Sequence, residues 1–250
     1  MPSPFAKHWS FNPSRMFLNH GSFGACPDFV IDEQRKWQDL MEREPVQFFE
    51  ELMPDLLLQS REALGRFLSC SEDDLAFVSN ATSGVNTILR SIKFEQGDEI
   101  LVPNHAYQAC RNSIDFVAQR WGAKVVEVAI PFPIEGPHTV IDLMKSAYTS
   151  KTKLVMIDTV TSPTGLLMPF EELTAYFENK GVEVLLDAAH GIGMIPLNLG
   201  TLGASYVTSN CHKWLCAPKG TAFLYVRKDK QKKIQPLIII YSMIINHQME

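Results

Sequence analysis

A chain of 250 residues accommodates one large domain or two small ones. Its 46% apolar and 20% charged residues are globular values and exclude a disordered or collagen-like chain. With 23 Lys and Arg against 28 Asp and Glu, the net charge of −5 carries no basic surplus pointing to nucleic acid or an anionic membrane. Five cysteines (Cys26, Cys70, Cys110, Cys211 and Cys216) are odd in number and form no C-x-x-C pair, the usage of a reduced intracellular protein. The opening MPSPFAKHWSFNPSR lacks the apolar core of a secretory signal. The longest greasy stretch, Leu237 to Ile245, is nine residues, against about 20 for a bilayer span. A soluble cytoplasmic protein without a membrane span is expected.

Along the chain, Pro27–Arg43 and Phe48–Leu68 read as helices, with Pro27 in a first turn and Pro54 marking a start or kink. From residue 72 short β-rich runs alternate with amphipathic segments. The expected strands are Leu75–Ser79, Glu99–Pro103, Lys124–Ala129, Lys153–Asp158, Val182–Asp187, Ser205–Thr208 and Thr221–Val226. Runs such as VVEVA, LVMI and VEVLL are nearly continuous in apolar residues, as in strands covered on both faces. The helices between them are Ser83–Phe94, Tyr107–Trp121, Val140–Ala147 and Phe170–Lys180, two of them closing on Gly122 and Gly181. This alternation predicts an α/β fold of three layers, α/β/α, around a mostly parallel seven-stranded sheet. No helix separates the last two strands, which predicts one antiparallel strand. After the basic run Arg227–Lys233 the tail IQPLIIIYSMIINHQME is β-prone, low in charge and without turn chemistry.

Open α/β sheets bind ligands at the carboxyl ends of their strands, and four of these ends carry unusual polar residues. Thr82, Ser83 and Gly84 open a helix, which suits either a phosphate or ordinary capping. There is no G-x-x-x-x-G-K-[ST] phosphate loop, and Gly191-Ile-Gly193 lacks the third glycine of a dinucleotide fingerprint. Asp187 closes an otherwise apolar strand, a costly place for a carboxylate unless it is paired, as it would be by a cationic ring nitrogen. Three residues later His190 could contact a ring substituent. Lys213 sits among His, Trp, Leu, Cys, Ala and Pro, surroundings that favour a neutral, nucleophilic amine; alone it could equally be a snorkelling lysine. Together with the aromatic Tyr107, these residues fit pyridoxal phosphate.

Six ordered segments carry a family resemblance: FLNHGSFGACP at 17–27, SNATSGVN at 79–86, PNHAYQAC at 103–110, TSPTGLLMP at 161–169, DAAHG at 187–191 and NCHKWLCAPKGTAFLYV at 210–226. The chain resembles the class V aminotransferase branch of fold-type I pyridoxal-phosphate enzymes, most of all its isopenicillin N epimerase-like and cysteine desulfurase-like members. The resemblance implies pyridoxal 5'-phosphate as cofactor and Lys213 as the lysine of its internal aldimine. It implies Asp187 on the pyridinium nitrogen, His190 on the ring hydroxyl and Tyr107 on the ring face. Thr82 and Ser83 would hold the phosphate with His212 and Asn210. Asn19 and His20 would face substrate, while Thr161, Ser162 and Thr164 either line the pocket or are turn residues around Pro163. No metal is expected.

The implied reaction is proton movement at the α-carbon of a small amino acid, leading to epimerisation, transamination or β-elimination. Cys216 is the last cysteine, whereas desulfurases proper carry persulfide on a cysteine well beyond the lysine, so desulfhydrase-type elimination is favoured over sulfur transfer. The resemblance also implies a homodimer and a smaller carboxy-terminal domain. We therefore expect an arm at 1–20, a cofactor-binding large domain at 21–233, and an atypical tail at 234–250 in place of the smaller domain, set by a frameshift or alternative splice from about Ile239. The alternatives are a truncated pseudoenzyme that binds cofactor or a full-length partner without turnover, and a plain phosphate-binding α/β module.

Overall fold

The strands divide their alternating side chains between two cores, one on each face of a single seven-stranded sheet. The computed structural model describes residues 3–238; the expected tail from Ile239 onward lies outside them. The strands are β1 (Leu75–Val78), β2 (Glu99–Pro103), β3 (Lys124–Val128), β4 (Thr152–Asp158), β5 (Glu183–Asp187), β6 (Tyr206–Asn210) and β7 (Ala222–Val226). Their spatial order is β1-β7-β6-β5-β4-β2-β3. Strands β2 to β6 pair in parallel, and β7 is antiparallel to both β1 and β6, as the missing helix before it predicted.

The helices follow in chain order. The turn-length α1 (His20–Phe23) is capped by Asn19, whose Oδ1 accepts the Ser22 N–H. Pro27 is the N-cap of α2 (Asp28–Arg43) rather than part of its first turn. A short α3 (Pro45–Gln47) runs through a π-type turn at Phe48–Leu52 into α4 (Met53–Leu68). Pro54, which lacks an N–H, sits in the first turn of α4, so the expected break falls there. The rest are α5 (Ala81–Ser91), α6 (Gln108–Trp121), α7 (Pro137–Ser146), α8 (Phe170–Asn179) and the unanticipated single turn α9 (Leu199–Leu202). Gly122 and Gly181 both take positive φ just past their helices, the expected stops.

Helices α5 and α6 cover one face, where Val85, Ile88, Ile114 and Val117 meet Ile100, Leu154, Met156 and Leu185. On the other, α4, α7 and α8 bring Leu68, Met144, Leu173 and Phe177 against Leu101, Val155, Ile157 and Leu186. The three-layer α/β/α arrangement follows from this period-2 partition, because each strand must bury both sides.

Two boundaries differ from expectation for physical reasons that bear on the site. β6 extends to Asn210 because Ser209 and Asn210, polar as they are, keep pairing with Phe223 and Ala222. The Ser209 hydroxyl is satisfied inside the sheet by donating to the Ala188 carbonyl. α5 begins at Ala81 rather than Ser83, because Asn80 Oδ1 accepts the Ser83 N–H at 2.8 Å and caps the helix earlier.

Helix α5 approaches β6 through Gly84. A Cβ there would stand 2.1 Å from Thr208 Oγ1 and 2.8 Å from Thr208 Cβ, so rotating the hydroxyl away leaves the clash. Gly84→Ala is expected to lower stability by about 2 kcal/mol through overpacking, read as a fall in the urea midpoint. Unchanged stability would mean that the helix is not held against β6 at this distance.

Candidate active site

The carboxyl ends of β4, β5 and β6 converge with the start of α5 on one cleft. Thr82, Tyr107, Asp158, Ser162, Asp187, His190, Asn210 and Lys213 line it. It opens into a wider cleft bordered by Ser83 and His212, with Thr82, Tyr107 and Lys213 shared between the two. A larger groove by Lys93, Lys151 and Lys153 lies at the opposite end of the strands and contains none of these residues. Convergent polar chemistry, not size, selects the first cleft.

Asp187 ends β5 and is 3% exposed. Its Oδ1 accepts the Ala189 N–H at 3.0 Å, and its Oδ2 receives the Cys110 thiol at 3.3 Å. Burial raises its affinity for a proton; those two hydrogen bonds and the charge of Lys213 work against that rise. Asp158 ends β4 and is its register partner across the parallel pair. Burial, then the neighbouring Asp187, push the Asp158 carboxyl well above the usual carboxylate range, although the N–H groups of Tyr107 and Ser162 reach it. Two adjacent buried carboxyls do not both ionise, so Asp158 holds the proton and the better-solvated-by-protein Asp187 holds the charge. Asp158 Oδ1 is buried and has no hydrogen-bond partner among the described residues. A buried polar atom without a partner on a cleft wall is free to serve a ligand.

Lys213 lies in the turn after β6, with Nζ 3.2 Å from His190 Nε2. Burial lowers its proton affinity, while the charge on Asp187 raises it less. His190 falls to about 4, through burial and then the lysine charge, so its ring is neutral near pH 7. Its Nδ1 accepts the Trp214 indole N–H at 3.1 Å.

At the start of α5, Asn210 Oδ1 accepts the Ala81 N–H at 2.9 Å, pinning the helix to the end of β6. The Ser83 N–H is taken by Asn80, and the Ser83 hydroxyl lies 3.1 Å from that of Ser79. His212 Nδ1 donates to the Thr221 carbonyl at 2.9 Å, which turns its ring at the border of the outer cleft. Tyr107 caps α6 and is 44% exposed over the opening.

Four expected residues sit elsewhere. Thr161 is a turn residue: its Oγ1 accepts the Leu166 N–H at 2.9 Å and lies 2.7 Å from Thr164 Oγ1. Thr164 in turn reaches Nδ1 of the buried His105 at 2.9 Å. Asn19 caps α1, and His20 stands behind the cleft, its ring stacked on Trp214 at 6.1 Å. Asp158, Cys110 and Trp214 were not picked out from sequence. For Asp158 the signal existed, since it closes the apolar run LVMI as Asp187 closes VEVLL. Trp214 and Cys110 depend on long-range contacts that no local pattern carries.

A helix start bearing hydroxyls, a buried carboxylate and an amine meet on one sheet edge, the place where open α/β sheets bind ligands. Residues 30–250 match the family Aminotransferase class-V, and the chain belongs to that family. It is 34% identical to an L-cysteine desulfhydrase of Arabidopsis thaliana over 226 residues, covering 84% of this chain and 50% of that protein. An isopenicillin N epimerase of Streptomyces clavuligerus is 29% identical over 231 residues, 92% of this chain and 58% of that one. Among solved structures, a C-DES mutant with glycine covalently linked to its PLP cofactor superimposes with a TM-score of 0.82. Its identity is 21%, and the match covers 95% of this chain and 63% of that one. The chain spans about half the length of the curated relatives it matches.

The carboxyl pair has a pH signature. A carboxyl that binds its proton more tightly when folded than when unfolded contributes stability below the ordinary carboxylate range and loses it as pH rises through the folded value. Asp158→Asn removes that loss, so the variant is expected to be more stable than the parent at about pH 8, with the gain fading toward about pH 4. Urea unfolding at both pH values checks this; a pH-independent difference would contradict the proton assignment.

Proposed function

We propose that the cleft binds pyridoxal 5'-phosphate and works at the α-carbon of a small amino acid. The observation that carries this reading is the buried Asp187 carboxylate, in no ion pair among the described residues, sharing a cleft with the Lys213 amine beneath the start of α5. The residues present fit the group: an anion for a ring nitrogen, an amine for an aldehyde, and the Thr82 and Ser83 hydroxyls with His212 for a phosphate. When bound, pyridoxal phosphate supplies an aldehyde that condenses with primary amines and a ring that takes up electrons released at the α-carbon.

Asp187 would keep a ring nitrogen protonated, and its burial strengthens that pairing because little water competes. Thr82, Ser83, Asn210 and His212 would hold the phosphate, Tyr107 would offer its aromatic face, and His190 would hydrogen-bond a ring oxygen. Lys213 is the base: as a free amine it accepts the α-proton and can return it. A proton delivered to the opposite face by a second acid, such as water, gives epimerisation; departure of a β-substituent gives elimination. The names of the relatives, L-cysteine desulfhydrase and isopenicillin N epimerase, support both outcomes, and C–S bond cleavage is the first to assay.

The cofactor-binding unit is residues 21–233, with 1–20 as an arm and 234–250 as a tail. Exposed Phe29, Trp37, Phe49 and Phe67 support a homodimer, and five unpaired cysteines support a cytoplasmic location. No helix among the described residues is long and apolar enough to cross a membrane.

Two tests follow. Purified chain with pyridoxal phosphate should develop a visible band that borohydride fixes covalently, with peptide mapping placing the label on Lys213. Label spread over surface lysines would overturn the cofactor reading. Lys213→Ala should lose this label and slow α-hydrogen exchange of a bound amino acid in deuterated water by about a thousandfold, the scale of a lost general base. Parent label without exchange for any amino acid would leave a binding protein without turnover.

A further inference from the structure

Trp214 follows Lys213 in the chain, yet its indole turns back over His190. Counting protons along this contact leads further than the distances alone. The Trp214 N–H donates to His190 Nδ1, so that nitrogen carries no proton. A neutral imidazole must then carry its proton on Nε2, and Nε2 faces Lys213 Nζ. An N–H directed at Nζ needs a lone pair there, which only the unprotonated amine has. A lysine ammonium would either meet the Nε2–H donor to donor, or donate to a ring stripped of both protons, an imidazolate.

We propose that Trp214 is a positioning residue that locks His190 in its Nε2–H tautomer and thereby holds Lys213 as the free, nucleophilic amine. The inference rests on the reading of Lys213 as the reactive amine and adds what keeps it reactive. The indole cannot easily turn away. A Cβ at Gly21 would lie 2.9 Å from His190 Cε1 and 3.1 Å from Trp214 Cζ2, so α1 packs directly against both rings. His20 also stacks on the indole, with ring centroids 6.1 Å apart. At Gly193 a Cβ would fall 2.6 Å from the Trp214 carbonyl, which shows how tightly its backbone is also backed.

The groups facing Lys213 from the packed elements pull in both directions. Asp187 on β5 favours the ammonium, while Asp158 on β4 and the Cys110 thiol on α6 keep their protons and add no charge. Burial opposes it, as does the Nε2–H of His190, whose own low proton affinity keeps imidazolium out of the count near neutrality. The tautomer therefore adds to burial on the side of the free amine. Without the indole donor the ring proton can move to Nδ1, leaving bare Nε2 as an acceptor that welcomes a lysine ammonium.

The test uses the ligand-free chain, so it stands apart from cofactor binding. Competitive acetylation of lysines with acetic anhydride, read by mass spectrometry of the Lys213 peptide, gives the pH at which Lys213 becomes reactive. Trp214→Phe keeps an aromatic ring and deletes the donor. Its Lys213 should acetylate about tenfold more slowly near neutrality, an upward move of about one pH unit in the reactivity profile. Nitrogen NMR on 15N-histidine chain should report Nε2–H for His190 in the parent and its loss or mixture in Trp214→Phe. An unshifted profile in a folded Trp214→Phe chain would overturn the proposal. So would Nδ1–H in the parent, which needs no variant to fold. A low-pH-reactive Lys213 that takes no pyridoxal phosphate would keep this inference and sink the cofactor reading alone.

Discussion

Two carboxyl groups set side by side at matched ends of β4 and β5 govern the chemistry of the whole strand edge. Parallel pairing puts Asp158 and Asp187 in register, and burial denies both of them water. One must hold a proton, and the other needs donors or a cation. The surroundings answer in kind: the Ala189 N–H and Cys110 thiol serve Asp187, while Tyr107 and Ser162 N–H groups reach Asp158. What remains unserved, Asp158 Oδ1 and the charge of Asp187, opens onto the cleft that holds Lys213. The fold thus stores at this edge an electrostatic demand that a cationic ring nitrogen would meet.

The same economy explains why the polar ends of the strands are structural before they are functional. Asn210 seats α5 on β6, Ser209 ties β6 to the chain after β5, and Gly84 lets the helix descend onto Thr208. Each contact fixes the helix start relative to Asp187 and Lys213. Positioning on rigid elements rather than on loops is what lets a helix terminus and a buried carboxylate address a single ligand.

Much of this was legible in the sequence. Continuous apolar runs such as LVMI require cover on both faces, and the absent helix between residues 206 and 224 forces an antiparallel strand. Asp187 and Lys213 announced themselves because charge in apolar surroundings is costly. The parts that stayed hidden depend on partners far away in the chain. Ser209 and Asn210 look like loop residues until Ala188 and Ala81 are seen to satisfy them. Asn80 looks like loop until it caps α5. Trp214 reads as apolar filler beside the lysine, and only the fold brings its N–H onto His190. Thr161, expected in the pocket or in a turn, spends its hydroxyl within the turn around Pro163. Local pattern reports burial and period; it does not report which distant atom completes a hydrogen bond.

The central claim is that the Asp187 carboxylate pairs with a protonated ring nitrogen. It is tested most directly by measuring binding of pyridoxal phosphate, and of its analogue with carbon in place of the ring nitrogen, to the parent chain and to Asp187→Asn. The account predicts that the parent prefers the true cofactor by at least about tenfold, the low end for a buried charge pair, and that Asp187→Asn loses this preference. Equal preference in the two chains would contradict it.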